Sequence, residues 1–374
     1  MVGTPSRYAR VPYGQLHSLG SSPVIQRPFG RSAVTAAGMA AVVLGTAWLC
    51  AWLINARRDP ALLAADFTQL WRAGRAVSQH LNPYDVVQAS SLPYPLRDPL
   101  GYPMTAVVAT LPFAMLSPFA AAQLWNTLSL ASFIGAALWR RPAWLGMLLS
   151  PSLMMAVQLV QWSPVLAAGT LVPPLSLLYS AKPNIGIALF AGWPSRWAVF
   201  GAVLLTIIGL LLVPSWPLDW FRSVYATSNY YVAPAAVWHA GGPFLLLTML
   251  CWRQPEARVL AVLALVPHNL VLYEQLVLVT ICRRPGEVGL LVAGAWAALI
   301  WGGVARAEQA TEAAQHAALR VPVIVGCYLP ALLIVLRRGN RGDLPAWLET
   351  RLAGSRIPAA LRGSGTALGR PSGR

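Results

Sequence analysis

A carboxylate followed closely by two guanidinium groups stands in the stretch DFTQLWRAGRAVSQHLNPYD, as Asp66, Arg72 and Arg75. An aspartate at a boundary between lipid and water can take a proton from a hydroxyl. Arginines nearby can hold a phosphate, whether of a lipid headgroup or of a smaller molecule. The same aspartate is equally a helix N-cap, because Asp66 and Gln69 have capping-box spacing. Farther along, Lys182 is the single lysine among 28 basic residues. It is either an interfacial side chain whose stem lies along apolar surface or a cation kept for a task. His268 follows Pro267 in an apolar stretch, where a histidine either bonds freed carbonyls or works as an ionisable group at membrane depth. Glu274 can pair with a neighbouring arginine or hold a sugar hydroxyl. Tyr84 and Tyr102 can pack at an interface or stack on a sugar ring.

The elements that carry these residues belong in a bilayer. The chain has 374 residues, 56% hydrophobic and 11% charged, a balance that excludes an ordinary soluble enzyme. Residues 33–54 form an uncharged run of about 22 residues, which at about 1.5 Å per residue crosses a hydrocarbon core of roughly 30 Å. Arg7, Arg10, Arg27 and Arg31 precede it without a following small-residue cleavage signal, the pattern of an uncleaved signal anchor with a cytoplasmic amino terminus. The net charge of +16 is spread over the 1–32 arm, the 337–374 tail and short connections. That is a positive-inside distribution and not a nucleic-acid surface. The tail is expected to be largely disordered, to face the cytoplasm and to touch anionic lipid heads. Cys50, Cys251, Cys282 and Cys327 have neither disulfide nor metal spacing.

Apolar runs and basic breaks imply an all-α polytopic membrane protein of about 12 membrane segments within residues 33–336. Two long external connections, 55–101 and 215–240, make the working face. On this zigzag Arg140 and Arg141 fall on the external side, against the positive-inside pattern, between segments 119–139 and 142–160. In the first connection, a helix over 67–81 places Phe67, Leu70, Trp71, Gly74, Val77 and Leu81 on one face, fit to lie flat on the membrane, with Asn82 and Pro83 ending it. The aromatic residues of 215–240 suit a membrane–water interface. There is no Walker loop, dinucleotide fingerprint or nucleophile elbow, and no clustered ligand set, so neither a metal nor another cofactor is expected.

DFTQLWRAGRAVSQHLNPYD followed by GYPMTAVVATLPFAML resembles the first external loop and second helix of family 87 of the glycosyltransferases, the polyprenyl-phosphate-mannose-dependent mannosyltransferases of the GT-C superfamily. VQLVQWSPVL is similar to the family's Gly-Gln segment, SAKPNIGIALF to its Lys-Pro segment, and LVPHNLVLYEQLVL to its Pro-His segment with the following Tyr-Asp. The pieces occur in the family's order over about residues 60 to 282. Val160 stands where the family has Gly, Glu274 where it has Asp, and the stretch from Gln161 to Lys182 is shorter than the family's.

The resemblance implies a GT-C-like bundle in the bacterial inner membrane. It implies transfer of a hexose, mannose foremost, from a polyprenyl-phosphate donor to a lipid-linked or envelope glycan acceptor on the external face. A polyprenyl phosphate is already a good leaving group, so one base suffices and no acid partner is required. Asp66 matches the family's catalytic aspartate. Lys182, His268, Arg72 and Arg75 become candidates for the departing phosphate, and Tyr84, Tyr102, Gln161 and Glu274 for sugar or acceptor contacts. Two other readings stay open: a non-catalytic transporter or assembly partner for lipid-linked sugars, and the same fold using another polyprenyl-phosphate sugar.

Overall fold

A computed structural model describes residues 33–55, 65–86, 99–227 and 234–342. The expected basic arm and most of the expected tail lie outside them. The chain divides into two units, Met1–Val42 and Val43–Arg374. Of the first, only the opening turns of helix α1 (Ala33–Asn55) are described; everything below concerns the second.

The described residues form helices and connections only, as the all-α reading expects. After α1 come α2 (Ala65–Ser78), the single turn α3 (Pro83–Val86), α4 (Met104–Thr110), α5 (Pro118–Arg140), α6 (Pro151–Gln158), α7 (Ser163–Gly169), α8 (Pro183–Gly192), α9 (Arg196–Leu212), α10 (Trp216–Thr227), α11 (Pro255–Leu265), α12 (Pro285–Ala307), α13 (Glu312–Val323) and α14 (Leu329–Leu336). Between them lie unusually long 3-10 segments, notably Pro142–Leu149, Pro173–Ala181, Gly242–Cys251 and Leu272–Ile281. A 3-10 helix rises about 2.0 Å per residue against about 1.5 Å in an α-helix, so these short apolar runs reach farther than their residue counts suggest. The continuous helices expected over 142–160 and 163–180 are each broken by a corner or a loop.

Two helical stretches, Pro285–Ala307 and Ala314–Leu336, are long and apolar enough to cross a membrane. Two bent pairs, α6 with α7 at 116° and α9 with α10 at 97°, raise the number to four if each pair is one span. Leu211, Phe200, Ile300 and Val304 are exposed on α9 and α12, an apolar surface suited to lipid. The second stretch runs through Pro322 inside α13 and then a π-helical segment, Ile324–Tyr328. Proline removes a ladder donor, and π-turns are a usual response to such a break.

Helix α2 differs from the flat surface helix that its sequence suggests. Phe67, Leu70, Trp71, Ala73, Ala76 and Val77 are buried, and so is Arg72 at 0% exposure, whereas Leu81 is exposed. The indole of Trp71 donates to the Leu116 carbonyl at 3.0 Å. A Cβ at Gly74 would come within 2.7 Å of the Ala114 side chain. The helix is therefore packed on more than one side. Its end also differs: α2 stops at Ser78, and His80 takes the left-handed conformation (φ 58°) ahead of Asn82. His80 N–H bonds to Val77 O and Leu81 N–H to Ala76 O, the paired bonds of a Schellman motif.

The segment Pro142–Leu149 and α12 lie side by side and run in the same direction. Trp144 donates from its indole to the Cys282 carbonyl, and farther along Trp296 donates to the Leu149 carbonyl. Arg140 and Arg141 thus lie at the same end as Arg283 and Arg284. This differs from the expected zigzag, which put the two pairs on opposite sides; counting apolar runs cannot tell a broken segment from a complete crossing.

Candidate functional site

Four elements converge on Asp66. The first is α2 itself, with Asp66 in its first turn and half-buried. The helix begins one residue before Asp66, so Asp66 is not the N-cap its spacing with Gln69 suggests; its Oδ2 accepts a hydrogen bond from the Gln161 side-chain amide and the Tyr273 hydroxyl also donates to it.

Gln161 comes from the corner between α6 and α7. The N–H of Val160 bonds to Val157 O at 3.3 Å and that of Gln161 to Ala156 O at 2.8 Å, a second Schellman motif. Its left-handed position is filled by Val160 (φ 52°), which is 2% exposed. A β-branched residue is strained there, where glycine would not be. The Asn126 side chain donates to Val157 O at 2.7 Å and holds the same turn.

Lys182 ends the 3-10 segment Pro173–Ala181. Pro183 biases its preceding residue away from helical backbone, and Lys182 is correspondingly at φ −133°, ψ 79°. Thr105 pins the Ser180 carbonyl at 2.6 Å. Gly186 lets α8 fold back on the segment, since a Cβ there would sit 2.0 Å from the Tyr179 carbonyl oxygen. So placed, the buried Lys182 donates to Gln161 Oε1 at 3.1 Å and pairs with Glu274 Oε1 at 2.8 Å. Its ammonium also lies 5.1 Å from the centre of the Tyr273 ring.

Tyr273 and Glu274 open the 3-10 segment Leu272–Ile281, and Ser163 of α7 donates to the Tyr273 carbonyl at 2.8 Å. The result is a connected chain, Glu274 to Lys182 to Gln161 to Asp66, closed by Tyr273. Gln161, Lys182, Glu274 and Tyr273 are buried, while Asp66 and Tyr102 are half-buried at its edge. Burial raises the Asp66 pKa above the ordinary carboxylate value; Lys182, Gln161 and Tyr273 oppose the rise and the nearby Glu274 adds to it.

Glu274 therefore pairs with the lysine, not with an arginine. Tyr102 faces Gln161, and Tyr84 reaches the group indirectly by donating to the Tyr102 carbonyl at 3.0 Å. His268 sits in the connection after α11, 3% exposed. Its Nδ1 is 2.8 Å from the Val266 carbonyl and Nε2 is 2.6 Å from the Tyr328 hydroxyl. Nδ1–H donates to the carbonyl and Nε2 accepts from the phenol in a neutral ring, and burial lowers the histidine's pKa. Arg75 is half-buried, with its guanidinium 5.5 Å from the Trp71 ring, and Arg72 is buried within α2.

Tyr273 and Tyr328 were not legible as site residues. The first stands beside Glu274 and could have been suspected from that neighbour; the second is far along the chain, and no local pattern points from it to His268. Among the described residues no three His, Cys, Asp or Glu side chains form a metal-ligand group. Comparison with protein-family models, curated proteins and solved structures finds no match.

Proposed function

We propose that this chain is a polytopic membrane glycosyltransferase of about 12 segments. It moves a hexose, mannose foremost, from a polyprenyl phosphate to a lipid-linked or envelope glycan acceptor on the external face of a bacterial inner membrane. The observation that carries the reading is the half-buried Asp66 carboxylate at the edge of a buried polar chain in an otherwise apolar helical protein. Such a carboxylate, with its proton affinity raised by burial, is suited to accept the acceptor hydroxyl's proton as the hydroxyl oxygen attacks the anomeric carbon. The bond to the phosphate breaks, and the phosphate leaves with its electron pair. By the family resemblance the reaction inverts the anomeric centre.

Further support comes from an apolar groove of about 310 Å³ lined by Tyr179, Pro183, Gly186, Phe190 and Val199, which flanks Lys182 in the chain. A lipid-linked donor fits such a neighbour. Lys182, already paired, supplies a fixed positive charge within the site and orients Gln161. Arg72, Arg75 and His268 remain candidates for the phosphate, and Tyr102 and Tyr84 for the sugar.

The test is transfer by the purified chain in lipid, supplied with labelled polyprenyl-phosphate-mannose and an envelope lipid extract. Wild type forms a glycosidic product and Asp66→Asn forms at most about a hundredth as much in the same time, although it still binds donor. Transport of donor across a sealed bilayer without product would replace the reading with a transporter.

A further inference from the structure

The sequence contains Arg-Arg-Pro twice, at Arg140–Pro142 and Arg283–Pro285. Each proline opens an element: Pro142 the 3-10 segment Pro142–Leu149, and Pro285 the helix α12. These two elements line one open groove of about 480 Å³, walled by Pro142, Gly146 and Leu149 on one side and Val288, Gly289 and Val292 on the other. The groove is away from the Asp66 site and shares none of its residues.

Its walls are apolar, and its end is basic. Because the two elements run the same way, both arginine pairs gather at the end where Pro142 and Pro285 lie. Arg283 is held by Glu256 at 2.7 Å, and Glu287 by Arg338 at 2.6 Å. The guanidinium groups of Arg140, Arg141 and Arg284 have no carboxylate partner among the described residues, the Glu287 carboxylate meeting Arg284 only at its backbone N–H at 3.1 Å, and Arg140 and Arg284 are exposed. Arg140 packs 4.2 Å from the ring centre of Trp139, an aromatic side chain 61% exposed. An aromatic residue and unpaired arginines at the end of an apolar helix are the features of a headgroup level. The α12 wall is open at Gly289, where a Cβ would meet nothing within 4 Å.

We propose that this groove binds a phospholipid with an anionic headgroup, an acyl chain lying between Gly146 and Val292 and the phosphate at Arg140, Arg141 and Arg284. A membrane-length helix whose apolar residues are mostly exposed puts lipid chains against the groove, and three unpaired guanidinium groups at one end select the anionic species. The site is independent of the transfer reaction.

Native mass spectrometry of the full chain, given equal amounts of phosphatidylglycerol and phosphatidylcholine with the same acyl chains, tests this. Wild type retains phosphatidylglycerol preferentially. The triple variant Arg140→Gln, Arg141→Gln, Arg284→Gln loses roughly 100-fold in affinity for it and no longer discriminates. Gly289→Phe, which fills the groove and leaves every arginine in place, loses both lipids; Leu149→Trp, at a position 73% exposed, is a second filler should the first fail to fold. Equal retention of the two lipids by wild type would overturn the proposal. So would undiminished phosphatidylglycerol binding by a folded filler, which would leave only surface charge, or a dimer that the filler dissociates, which would give the groove to a second copy of the chain.

Discussion

Gln161 holds Asp66 with its amide nitrogen while its amide oxygen accepts from Lys182 at 3.1 Å. A glutamine between an ammonium and a carboxylate can face only one way, so the lysine fixes the amide and the amide fixes the carboxylate. Lys182 thus acts on Asp66 at one remove.

Asp66→Asn is expected to lower transfer by on the order of 10²–10⁴-fold, the range of a positioned general base. Melting of the variant at neutral pH should be no lower than that of wild type, since burial raises the Asp66 pKa and the folded state therefore disfavours the charged form. Residual transfer at the wild-type rate would remove Asp66 from the chemistry.

The acid limb of the rate profile should lie above the ordinary carboxylate pKa, because the base must be ionised and burial holds its proton more tightly. Stability runs the other way. A carboxyl with a raised folded pKa contributes stability at low pH and loses it as pH rises from the unfolded value through the folded one. Tyr273→Phe removes a donor to the carboxylate, so it should move the limb to still higher pH; an unshifted limb would show that Tyr273 does not bear on the base.

Lys182→Met leaves Glu274 buried without its partner and should destabilise by about 3–5 kcal/mol. Lys182→Met with Glu274→Leu should recover much of that loss. Thermal unfolding of the single and double variants in lipid nanodiscs measures both, and an equally unstable double variant would contradict the pairing.

Val160→Gly should change stability by no more than about 1 kcal/mol, because relief of about 1–2 kcal/mol of left-handed strain offsets the lost burial. Val157→Ala, a smaller truncation at a buried helical position three residues earlier that is itself unstrained, should cost more. A larger loss at Val160 would mean the turn is not strained.

Gly186→Ala should unfold or misplace the lysine, since its Cβ would land 2.0 Å from backbone. Loss of transfer together with a lowered melting temperature is the expected result, and a fully active, equally stable variant would count against it.

Helical class was legible because apolar runs and proline breaks are local properties. The residues that share a site were legible only in part. Asp66, Lys182 and Glu274 stood out as charges in apolar sequence, and desolvation makes such charges seek one another. Their pairing, however, depends on where α8 and Leu272–Ile281 lie in space. The burial of α2 was not legible because its apolar residues fall on one face and the pattern of a helix lying on a membrane is the same as that of one packed in a core. The left-handed turn at Val160 gave no sign of itself, since a β-branched residue is disfavoured in that conformation. The 3-10 form of the short apolar segments leaves no mark either, since the same residues satisfy either helix.

The π-helical segment Ile324–Tyr328 is, in effect, a phase shift. An α-helix advances about 100° per residue, so the wider turn offsets everything after it by one position relative to α13. In that phase Tyr328 meets His268, and Arg338 closes on Glu256 and Glu287 beyond the end of α14. Removing a single residue from 324–327 would take out the wide turn and rotate both contacts out of alignment at once. One inserted position thus sets the azimuth of the histidine's partner and of the ion cluster at the far end of the same helix.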